Sequence, residues 1–87
     1  MKLIIAIIKD TDDAEVLRQL IDRQYRVTRM ASTGGFLRRG NVTLLIGVEE
    51  EQVQPVIDLI NSACQPAPPG QHKATIFVVN AIHFEQT

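Results

Sequence analysis

From Leu3 to Ile8 the apolar run is unbroken, with Leu3, Ile5 and Ile7 at odd positions and Ile4, Ala6 and Ile8 at even ones. Successive strand residues face opposite sides, so a strand over Lys2–Lys9 needs cover on both faces. Asp10 or Thr11 is expected to cap a following helix, with Asp13 in its first turn. Ala14, Val16, Leu17, Leu20 and Ile21 then recur at helical spacing and stop near Gln24. Tyr25 to Thr33 alternates closely enough to predict a strand, and Asn41 to Val48 predicts another. Glu49, Glu50 and Glu51 place negative charge at the start of a second helix, where Val53, Val56, Ile57, Ile60 and Cys64 form one stripe. Pro55 falls in the first turn of that helix, where a missing N–H costs least. QPAPPGQ, residues 65–71, cannot continue it, and Ala74 to Ile82 predicts a last strand.

The order β-α-β-β-α-β predicts an α+β fold of the ferredoxin-like sandwich type, a four-stranded antiparallel sheet with two helices on one face, in a single domain over residues 1–87. The opposite face of such a sheet is polar when water covers it. Here the first strand is apolar on both sides, and Ile76 and Val78 oppose Phe77 and Val79 in the last. No third element remains to cover that face, so the pattern predicts a homo-oligomer packed through its sheets.

Charge changes the picture locally. The net charge is -1, yet Arg23, Arg26, Arg29, Arg38 and Arg39 fall between residues 23 and 48 with no acidic residue among them. That bias points to a local anion site rather than to a nucleic-acid polymer, which calls for a strongly basic domain. A solvated arginine face is the other reading. The single cysteine, Cys64, forms no internal disulfide, which fits a reducing, cytoplasmic setting. The Leu3–Ile8 run is too short for a secretory signal, and no stretch approaches the roughly 20 apolar residues of a membrane span.

Residues 33–41, TGGFLRRGN, join two predicted strands where a hairpin needs only two residues. Gly34 and Gly35 allow positive φ and close approach to the backbone, whose free N–H groups bind anionic oxygens. Gly40 relaxes the exit, Arg38 and Arg39 add charge, and Arg26 and Arg29 stand on the strand leading in. Phe36 offers a flat surface for a nucleobase and Asn41 a donor and acceptor for its edge. The combination suits a nucleotide, although neither GxxxxGK[ST] nor GxGxxG is present. A flexible hairpin or an oligomer contact loop remains the alternative.

The stretch RVTRMASTGGFLRRGNVTLLIGV, with the opening MKLIIAIIKD, resembles the PII-like cyclic di-AMP receptor proteins of bacteria, continuously to about Cys64 and again at ATIFVV. That resemblance implies a homotrimer with a cyclic dinucleotide in each cleft between subunits, and a signal passed to a downstream protein. It implies that Arg26 and Thr28 meet the phosphates, that Gly35, Phe36 and Leu37 hold an adenine, and that Asn41 hydrogen-bonds the ligand. Gly47 then leaves room on the third strand, Phe77 packs, and Gln86 adds a polar contact. Gln24 stands where the family often has Asn. Two features depart from the family: a connection shortened to about residues 65–73, and the ending NAIHFEQT. The alternative they raise is a trimeric interaction module that binds another adenine nucleotide or none.

Other chemistry has less support. Asp10, Asp12 and Asp13 are explained by a helix start, His72 and His83 lack zinc spacing, and Cys64 ends an apolar stripe. No nucleophile, base and oxyanion donor assemble, so no enzyme, metal or cofactor is expected; a small ferredoxin-like hydrolase is a third reading, supported only by a phosphate site of backbone and arginine.

Overall fold

The structure is a computed structural model that describes residues 1–31, 40–83 and 85. Its elements are β1 (Lys2–Lys9), α1 (Asp13–Asp22), β2 (Arg26–Ala31), β3 (Asn41–Val48), a 3-10 turn (Glu50–Gln52), α2 (Val53–Ala63) and β4 (Ala74–Asn80). The strands form one sheet in the order β2-β3-β1-β4 with every neighbouring pair antiparallel. β1 and β2 therefore run parallel with β3 between them, and β3 and β4 run parallel with β1 between them. Each helix spans one of these split crossovers, which is the predicted ferredoxin-like sandwich.

Parity decides which side the helices take. Ile4, Ala6 and Ile8 of β1 and Val42, Leu44, Ile46 and Val48 of β3 are all buried. They pack with Val16 and Leu20 of α1 and Val56, Leu59, Ile60 and Ala63 of α2 in one core. Full burial of a side chain such as Leu44 or Ile60 contributes about 1.5–3 kcal/mol. The stripes differ in part from the sequence expectation. Ala14 and Ile21 face solvent, Ile57 is half-buried, and Leu59 takes a core position that the spacing missed.

The helix ends explain local details. α1 starts after Asp12, not at Asp10 or Thr11, and the Asp12 carboxylate makes no cap bond. It is buried and accepts the backbone N–H of Gln65 at 3.3 Å, tying the exit of α2 to the entry of α1. At the other end of α1 the Tyr25 N–H donates to the Leu20 carbonyl and the Gln24 N–H to the Ile21 carbonyl. This pair is a Schellman closure, and it holds Gln24 at φ 66. The turn before α2 is closed by a capping box between Glu49 and Gln52, and Pro55 lies in the first turn of α2, as expected. β4 ends at Asn80 rather than Ile82, with one further backbone bond from Ala81 N–H to the Met1 carbonyl.

Candidate functional site

The side of the sheet away from the helices is where those predicted site residues that the structure describes gather. Cross-strand partners share a face, so the register writes out its rows. Arg26, Gly47, Leu3 and Val79 form one, and Thr28, Leu45, Ile5 and Phe77 the next. Met30, Thr43, Ile7 and Thr75 follow, and Asn41 pairs with Lys9 at the end of the sheet. Three strand spacings of ~4.8 Å make the face about 14 Å wide. Arg26, Thr28, Asn41, Gly47 and Phe77, five residues spread over 52 positions of sequence, thus share one surface.

Its chemistry is apolar in the middle and cationic at the ends. Phe77 is 52% exposed, Val79 43% and Met30 47%, while Leu3, Ile5, Ile7 and Leu45 are half-buried. Arg26 stands at one end and Lys9 at the other, and no described residue of these rows is acidic. Gly47 lies opposite Arg26, has no positive φ, and a Cβ built on it meets nothing within 4 Å. The fold itself does not require a glycine there; bare backbone beside a guanidinium gives another molecule room to approach. Thr43 carries a buried hydroxyl with no hydrogen-bond partner among the described residues.

The arginines do not form one patch. Arg29 stands three residues from Arg26 and therefore on the other face, where its Nε donates to Asp13 at 2.6 Å. That pair joins β2 to the first turn of α1, which corrects the expectation that Arg29 contributes charge to the loop site. Arg23 sits at the end of α1. Gly35, Phe36, Leu37 and Gln86, with Gly34, Arg38 and Arg39, lie outside the described residues. Gly40 has φ +90, as an exit into β3 needs, and its carbonyl accepts the Asp10 N–H at 2.8 Å.

The three aspartates diverge: Asp10 is exposed, Asp12 faces Gln65 and Asp13 faces Arg29. No group of three or more His, Cys, Asp or Glu is placed to hold a metal among the described residues. Cys64 is buried, and burial first, then the Asp12 charge, pushes its thiol above the ordinary value. Lys9 and Met30 were missed by sequence reasoning. Counting parity from Ile5 and Ile7 to Lys9, or from Arg26 and Thr28 to Met30, was the available signal.

The described residues thus combine a ferredoxin-like sandwich with an open sheet face that carries a cation, a bare glycine and an aromatic. Residues 1–68 match the family model described as cyclic-di-AMP receptor, and the chain belongs to that family. The matched range includes Arg26, Thr28, Gly35, Phe36, Leu37, Asn41 and Gly47, while Phe77 and Gln86 lie beyond it. Among solved structures, the chain is similar to a functionally unknown protein from Pediococcus pentosaceus ATCC 25745, at 38% identity and a TM-score of 0.78. The match covers 99% of this chain and 96% of that one, so the two are of nearly equal length. Among the described residues, no helix is long and apolar enough to cross a membrane.

Proposed function

We propose that the chain is a cytoplasmic, non-enzymatic signalling protein of one domain. It binds cyclic di-AMP in clefts between the subunits of a homotrimer and passes the signal to a protein partner. The observation that carries this reading is the convergence of Arg26, Thr28, Asn41, Gly47 and Phe77 on one uncovered face in a chain of the cyclic di-AMP receptor family. Arg26 and Thr28 are assigned to the phosphates, Asn41 to a polar edge, and Gly47 to the close approach. Gly35, Phe36 and Leu37 hold an adenine, and Gln86 completes the pocket with Phe77. A neighbouring subunit accounts for the exposed Val79 and Phe77, because monomeric proteins seldom leave such a continuous apolar surface to water.

Ligand binding then shifts the population of conformations that a partner recognises. The test is titration calorimetry with cyclic di-AMP, alongside sedimentation of the apo protein. The expected results are a trimeric mass and saturable binding that Arg26→Ala weakens by about tenfold or more. A monodisperse monomer, or no heat at tens of micromolar ligand, overturns the proposal. The shortened connection at residues 65–73 favours a second reading, a trimeric interaction module that binds another adenine nucleotide or none. Normal assembly with flat calorimetry is its signature.

A further inference from the structure

One polar atom on the open sheet face serves no purpose in the fold. Thr43 lies on β3, an interior strand, on the side away from the helices, with Met30 of β2 and Ile7 of β1 as its register partners. It is 7% exposed, while Met30, Ile7, Asn41 and Leu45 around it all stand further out, so it forms the floor of this part of the face. Its Oγ1 is closed off from water and has no hydrogen-bond partner among the described residues. Buried hydroxyls are nearly always paired, and one that is not lowers stability. Valine has the same branched shape, suits a strand equally well and carries no such cost.

Position decides what the hydroxyl meets. Thr43 is two residues from Asn41 on the same strand, about 7 Å along it. It also stands diagonally across from Thr28, whose register partner is Leu45, at roughly 7–8 Å. It thus lies between the residue assigned to phosphate and the residue assigned to a polar edge, and in a nucleotide the ribose joins those two parts. The 3′ and 5′ oxygens of a cyclic dinucleotide are esterified, so the 2′-hydroxyl is the sugar's free donor and acceptor. We propose that the Thr43 hydroxyl hydrogen-bonds this ribose 2′-hydroxyl and selects ribonucleotides over deoxyribonucleotides on the sheet face. The inference rests on the functional reading above and adds a specificity residue to it. Met30, unbranched and 47% exposed, is the neighbour that swings aside to admit the sugar. Pairing with the ligand then offsets the cost of the orphaned oxygen.

Calorimetry on the full chain with cyclic di-AMP and with its 2′-deoxy analogue tests this in the wild type, Thr43→Val and Thr43→Ser. The wild type is expected to prefer the ribose ligand by about tenfold, and Thr43→Val to bind the two within about twofold of each other. Thr43→Ser, which keeps the hydroxyl, is expected to retain the preference. Thermal unfolding at fixed protomer concentration is expected to show Thr43→Val at least as stable as the wild type. Equal binding of the two ligands by the wild type, or a preference that survives in Thr43→Val, overturns the ribose contact while leaving the functional reading in place. A lower Tm for Thr43→Val overturns the unpaired oxygen on which the inference stands. If the wild type binds neither ligand, the functional reading fails and the ribose contact falls with it.

Discussion

Gly47→Ala separates what the fold needs from what the site needs. Gly47 lies in the interior of β3 without a positive φ, and an added Cβ meets no atom within 4 Å. Alanine at a compatible position narrows the unfolded ensemble and stabilises by about 0.4–1 kcal/mol. For a domain of this size, about 1 kcal/mol moves Tm by roughly 4–8 °C, so a rise of about 2–8 °C is expected. The same methyl projects into the space opposite Arg26 that the ligand is assigned to enter. Displacing the ligand from that contact is expected to weaken cyclic di-AMP binding by about tenfold, or ~1.4 kcal/mol. Thermal unfolding at fixed protomer concentration and calorimetry on the same preparation read the two effects, and sedimentation checks that assembly is unchanged. A variant that is both more stable and undiminished in affinity refutes the close approach at Gly47. A destabilised variant refutes the claim that the position is open.

Three further predictions follow from the two faces of the sheet and from the helix ends. Arg29→Ala is expected to lower stability by about 0.5–1 kcal/mol through loss of the partly exposed Asp13 pair, while leaving ligand affinity unchanged. Parallel denaturation and binding curves decide it, and an affinity loss equal to that of Arg26→Ala defeats the assignment of the two arginines to opposite faces. Gln24→Gly is expected to stabilise by roughly 0.5–1 kcal/mol, because glycine adopts the left-handed cap conformation without the strain of a side chain; an unchanged or lower urea midpoint counts against it. The Cys64 thiol, buried and raised in pKa, is expected to react slowly with a thiol reagent in buffer and rapidly in denaturant. Equal rates in the two conditions would mean that the helix end is open.

How far the site was legible depends on whether parity or register carried the information. Period-2 alternation in β1 already implied a sheet with two apolar faces, and Phe77 and Val79 extended that to β4. It did not separate Arg26 from Arg29 when both were read as charge near a loop, because the pairing of Arg29 with Asp13 joins residues 16 apart. Helical spacing found Val56 and Ile60 but ranked Ile57 above Leu59, since the angle at which α2 meets the sheet decides which edge of a stripe is covered. Asp12 looked like helix-start chemistry, and its real partner, the Gln65 N–H, is 53 residues away.

By itself, then, the order and period of the apolar positions determined the sandwich, because element type follows from local repeat and the topology rules leave few ways to connect six elements. The GGFLRRGN stretch with its upstream Arg26 and Thr28 pointed to the cyclic di-AMP receptor family by resemblance, while its chemistry alone suited a nucleotide without naming one. Only the tertiary structure decided which charges share a surface. The strand register places Lys9 beside Asn41, sends Arg29 to the helix side, and carries the short connection with His72 and Lys73 to the end of the same sheet. Those are contacts between distant parts of the chain, and they exist only once the strands have paired.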